Sequence, residues 1–139
     1  MIDAADFALQ RGFVEDAIKA AWPSVTRVYL KGPESGAIPL PYAVAKPTFA
    51  NVEGATFSED AINVTWEIFF VWAATNDDEV TNGVGYLHAI YNELSLASVP
   101  GGGMLPTVTA GDPVNMDADH EKRRVTSLTF RYQYHQDRP

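Results

Sequence analysis

The chain has 139 residues, 46% hydrophobic and 12% aromatic, which is enough for one core in a single domain (1–139) and too apolar for a disordered chain. Its net charge of −8 argues against wrapping nucleic acid, which needs Lys and Arg on phosphate. There is no cysteine, which excludes disulfides, thiol catalysis and Cys-ligated metal; the start, MIDAADFALQ, lacks a signal-peptide pattern, and no apolar run reaches about 18 residues, so no membrane span is expected.

The first predicted element is a helix over Asp3–Ala21. Asp3 reads as its N-cap with Asp6 three residues on, and both acids suit the positive end of the helix dipole. Phe7, Val14, Ile18 and Ala21 recur at helical spacing, with Ala17 beside them. Gly12 costs this helix about 1 kcal/mol relative to Ala. Trp22-Pro23 ends it, because a residue before proline is pushed out of the α region. A short strand, Ser24–Leu30, follows. The loop Lys31–Pro41 is dense in Gly and Pro and long for a hairpin connection; it is either functional or a plain surface loop. Tyr42–Val52 is the next strand, with Pro47 marking an edge or a bulge.

After a turn over Glu53–Asp60 comes the most informative stretch, Ala61–Ala74. Ile62, Val64, Trp66, Ile68, Phe70 and Trp72 alternate with Asn63, Thr65, Glu67, Phe69, Val71 and Ala73. Period two with β-branched and aromatic residues predicts a long strand pairing back on Tyr42–Val52. One face is large and apolar and has to be covered. The other turns apolar after Glu67, so its second half is expected to meet another layer or another subunit.

Asn76–Leu96 is the second predicted helix, with Asn76 as N-cap and Glu79 at the third helical position. Val80, Val84, Leu87, Tyr91 and Leu94 form its expected apolar face, with Ile90 adjacent. Gly83 and Gly85 point to close packing on the sheet or to a frayed start. The Gly-rich loop Ala97–Pro106 carries Met104 and Leu105. A weak strand over Thr107–Met116 is interrupted at Asp112-Pro113, Asp117–Arg124 reads as a charged turn, and Arg124–His135 closes the chain. On that last strand Thr126, Leu128, Phe130, Tyr132 and Tyr134 share the core face. The order α-β-β-β-α-β-β predicts an α+β fold, a mostly antiparallel sheet with both helices on one face.

No stretch carries a recognisable catalytic arrangement. Asp77, Asp78 and Glu79 lie at a helix start, where the dipole favours acids without any metal. Asp112, Asp117, Asp119, His120 and Glu121 lack the spacing of a calcium loop. His88, His120 and His135 are scattered, and no metalloprotease, nucleophile-elbow or phosphate-loop motif is present. The expectation is therefore a non-enzymatic protein without cofactor or metal.

The element order and texture resemble the tail terminator proteins of long-tailed bacteriophages. The resemblance is carried by AIKAAWPSVTRVYL running into a Pro- and Gly-rich loop, by PYAVAKPTFANVEG paired with INVTWEIFFVWA, by the helix GYLHAIYNELSL, and by the aromatic closing strand VTSLTFRYQYH. It covers roughly Ala4 to Tyr134 and implies a structural virion subunit at the head–tail junction. Such a subunit would form a homo-oligomeric ring of about six that caps the tail tube protein, meets a head-side connector, and lets DNA pass through its lumen unbound. The two long loops are the expected contact regions, with Glu34, Ile38, Leu40, Met104 and Leu105 as candidate interface residues. An acidic lumen would pass DNA with little adhesion.

Two other readings remain. One is a small-molecule-binding α+β module or enzyme in which Trp66, Phe70 and Trp72 line a pocket between helices and sheet. The other is a monomeric adaptor that binds a partner along a strand edge.

Overall fold

The computed structural model describes residues 4–25, 27–30, 39–52, 59–97, 99, 106–111, 114–118 and 121–137. Alternation builds the sheet. On β3 (Glu59–Ala73), Ile62, Val64, Trp66, Ile68, Phe70 and Trp72 are all buried, at most 3% exposed. On β6 (Glu121–Asp137), Thr126, Leu128, Phe130, Tyr132 and Tyr134 are buried with them, as their spacing predicts. β3 and β6 pair antiparallel over fifteen residues, from Glu59↔Asp137 to Ala73↔Arg123. At about 3.3 Å per residue that ladder is about 50 Å long.

β2 (Tyr42–Val52) pairs antiparallel with the other edge of β3. β1 (Val28–Tyr29) lies outside β2 and runs parallel to it, through Ala43 and Val44. β4 (Thr107–Ala110) and β5 (Val114–Ala118) lie one after the other along the outer edge of β6. The strand order is β1-β2-β3-β6-β4, with β5 beside β6. The helices are α1 (Ala4–Ala21) and α2 (Asp77–Ser95). This is the α+β arrangement that the sequence predicts, mostly antiparallel, in the order expected.

Three local departures have physical causes. Val25 is tied back to Trp22 by a 2.9 Å turn bond, so the strand expected from Ser24 starts later and holds two residues. Because β1 and β2 are parallel, the chain between them has to return to the starting end, which takes about a dozen residues. The length of the Lys31–Pro41 loop thus has a topological reason. The interrupted strand over Thr107–Met116 is β4 and β5: the register shifts by one residue between Ala110↔Leu128 and Val114↔Val125, as across a bulge. Much of the expected charged turn is ladder, with Asp117 opposite Lys122 and Ala118 opposite Glu121.

Both helices cover the apolar face of the sheet. Val14 and Ile18 of α1 are buried there, as are Leu87, Ile90 and Leu94 of α2. Phe7 stacks on Trp66 at one end of α1, and Trp22, just past its other end, stacks on Phe70. α1 therefore lies along β3 from the Val64 row, where Phe7 meets Phe49 and Gln10 bonds Tyr132, to Trp72, and the ladder runs on toward Glu59.

The buried arc of α2 differs from the expected one. Val84 is 47% exposed and Tyr91 38%, while Gly83 is buried in their place. The reason is Gly83 itself: a Cβ there would lie 2.1 Å from Trp72 Nε1, so the helix approaches the sheet at the one residue without a side chain. That approach turns Val84 and Tyr91 out to the flank. Nothing lies within 4 Å of a Cβ at Gly85. The Asn76 cap forms as expected: its Oδ1 accepts from the Glu79 N–H at 2.8 Å. Glu79 turns back to accept from the Thr75 N–H at 2.9 Å and from the Thr75 hydroxyl. Those bonds hold the Glu79 carboxyl below the usual carboxylate range.

Candidate functional site

Apolar side chains meet at the end of the sheet where α1 stops, α2 starts and the chain enters β2. Trp22 follows α1 because Pro23 forbids another helical turn. Trp72 is the last large residue on the core face of β3. Tyr86 stands on α2 one turn after Gly83, and Leu40-Pro41, joined by a cis peptide, precedes β2. Trp22 stacks on Tyr86 at 5.1 Å and meets Trp72 edge-on at 5.8 Å. Together with Ser24, Ala73, Glu79, Asn82 and Gly83 they wall a pocket of about 240 Å³. The wall is apolar at Trp22, Leu40, Pro41, Trp72 and Tyr86 and polar at Ser24, Asn82 and Glu79, whose carboxylate Thr75 engages. The indole N–H of Trp72 is buried without a hydrogen-bond partner, pressed against Gly83.

Of the three aromatics considered as pocket lining, only Trp72 reaches this pocket. Trp66 and Phe70 are 0% exposed, in a packed cluster with Phe7, Phe49 and Trp22. A buried polar chain fastens α1 over that cluster. Trp66 Nε1 donates to the Tyr132 hydroxyl at 3.1 Å, and Tyr132 donates to Gln10 Oε1 at 2.6 Å. Gln10 is fully buried on what reads as a polar helix position; its partner on β6 is 122 residues away, so helical spacing alone could not place it.

A second apolar surface lies between the helices. Phe13, Ala17, Ala89, Asn92, Glu93, Leu96 and Ala97 line a groove there. Leu96 is 78% exposed, and Leu9, one turn before Phe13 on α1, is 52% exposed.

The face of the sheet away from the helices is largely solvent-exposed. Lys46, Thr48, Asn63, Glu67 and Arg131 are exposed on it. Its apolar end is partly closed within the chain: Val44 and Val71 are buried, and Lys46 lies 5.4 Å from the half-buried Phe69 ring. Charge divides between the layers. The helices carry Asp6, Glu15, Asp16, Asp77, Asp78, Glu79 and Glu93 against Arg11 and Lys19, a net −5. The strands carry Glu59, Asp60, Glu67, Asp117, Glu121 and Asp137 against Lys46, Lys122, Arg123, Arg124 and Arg131, a net −1. The acidity of the chain is therefore mainly a property of its helical layer.

Among the candidate interface residues, Leu40 is half-buried and lines the aromatic pocket. Glu34, Ile38, Met104 and Leu105 lie outside the described residues, as do the proposed cap Asp3 and residues 112, 119 and 120. Among the described residues no three His, Asp or Glu side chains converge as metal ligands, and no helix is long and apolar enough to cross a membrane. His88 is exposed and bonds Asn92 at 3.2 Å. The pocket itself was not legible in the sequence, because it joins residues from four separated stretches. Comparison with protein-family models and with curated proteins finds no match.

Proposed function

We propose that this chain is a structural subunit that acts by self-association, of the kind represented by phage tail terminators: a ring that caps the tail tube and joins it to the head. The observation that supports this most is the shape of the sheet. A 50 Å ladder is far longer than the five or six residues usual for a strand, and it runs past α1. Its second face lacks a covering layer over Lys46, Thr48, Asn63 and Glu67. Two layers with one open sheet face suit a building block better than a ligand-binding shell. The solid packing of Trp66 and Phe70 supports the same choice, because a binding module of this architecture needs space there.

In such a ring the acidic helical layer is the surface suited to face DNA, since like charge reduces adhesion. Sedimentation velocity over a wide concentration range tests the proposal. Conversion to one discrete species of about six chains supports it. A single-chain species at every concentration removes free ring formation and favours the adaptor reading.

A further inference from the structure

We propose that the groove between α1 and α2 receives a basic, amphipathic helix of a partner protein. This goes beyond the ring reading and does not depend on it. The groove encloses about 400 Å³. Phe13 and Ala17 wall it from α1, with the exposed Leu9 one turn before them. Ala89 and Glu93 wall it from α2, with Leu96 at the C-cap. Each wall follows helical spacing over two turns, about 10 Å. That matches the i, i+3, i+4, i+7 anchors by which an amphipathic helix lies in a groove. The short side chains of Ala17 and Ala89 let a guest backbone come close.

Charge gives the sign of the guest. Glu93 stands in the last turn of α2, where the helix dipole is negative and a carboxylate is unfavourable. α2 has no Lys or Arg to offset it. Asp16, exposed beside Ala17, adds a carboxylate on the other side. The two cations of α1 turn away. Arg11 and Lys19 lie two residues from Phe13 and Ala17, so they do not share their face, and Lys19 bonds Glu15 at 2.7 Å. A Lys or Arg of a guest helix meets Glu93 and the carbonyl end of α2 together. The described helices of a second copy do not supply one: α1 has three acids against two bases, and α2 has four acids and no base. The complement is therefore a helix from a different protein, apolar along one stripe and basic beside it.

The probe is a labelled peptide of about 18 residues, long enough to form helix, built of Leu and Lys with the leucines on one face. One control has the same composition with the leucines dispersed, and another keeps the face but carries Glu for Lys. Fluorescence anisotropy against the full chain is expected to show the one-faced Lys peptide binding at least about tenfold more tightly than either control. Ala89→Trp fills the groove from an exposed helix position and should weaken binding at least about tenfold. Asn92→Trp does so from the neighbouring position and serves if circular dichroism shows the first variant unfolded. Glu93→Lys should weaken binding more than Glu67→Lys, which makes the same change in net charge on the open sheet face. No binding, equal binding of the three peptides, groove-filled variants that bind like wild type, or equal effects of the two lysine substitutions each overturn the proposal. Self-association of the wild type that Ala89→Trp abolishes makes a second copy the occupant and also overturns it.

Discussion

Gly83→Ala and Gly85→Ala form a matched pair two residues apart in the same helix. Each gains the same propensity term, about 1 kcal/mol for Ala over Gly in a helix interior. At Gly85 nothing lies within 4 Å of the new methyl, so the gain stands alone. At Gly83 the methyl would lie 2.1, 2.5 and 2.6 Å from Nε1, Cε2 and Cδ1 of Trp72. Those are atoms of a rigid, buried ring that Trp22 braces from the side, so the ring cannot swing away freely. Forcing a methyl into a packed site costs about 1–3 kcal/mol. The propensity terms cancel in the comparison, so Gly83→Ala should be less stable than Gly85→Ala by about 1–3 kcal/mol, the whole packing term. Urea denaturation measures both, with the midpoint moving at constant slope. Adding Trp72→Phe to Gly83→Ala should recover part of the loss, because the smaller ring leaves room for the methyl. A Gly83→Ala protein as stable as Gly85→Ala would refute the close approach, and with it the reason given for the turned-out Val84 and Tyr91.

Other substitutions test other parts. Tyr132→Phe leaves Trp66 Nε1 without its acceptor and should cost about 1–3 kcal/mol. Burial pushes the Tyr132 hydroxyl up to about 12, whereas an unfolded tyrosine titrates near 10. Its contribution is complete below pH 10 and lost as pH rises through 12, so an ultraviolet titration should show one late tyrosine that Tyr132→Phe removes. The Thr126 hydroxyl is buried without a partner, so Thr126→Val should raise the melting temperature or leave it unchanged; a clear loss would mean the hydroxyl has an acceptor. Asn76→Ala should cost about 1 kcal/mol and fray the start of α2, seen as faster amide exchange at Glu79.

Period-two patterning was enough to orient β3 and β6, because each side of those strands meets one environment. The Asn76 cap was equally legible, since both partners lie within four residues. The features that escaped depend on long-range contacts. Gln10 reads as a surface residue until Tyr132 is placed over it. The buried arc of α2 lies one column from the one hydrophobic spacing predicts, because a glycine, invisible to a count of hydrophobics, sets the approach to Trp72. The break between β4 and β5 is a matter of register against β6, and β1 starts late because Val25 is turned back to Trp22. The pocket at Trp22, Leu40, Trp72 and Tyr86 joins four separated stretches, so it could be read only after the fold was known.

Negative-stain images of the heaviest species in solution are the decisive check on the proposed ring-forming role. Closed annuli of about six subunits with a central hole are expected. Uniform single-chain particles, or paired particles that never close, would contradict it.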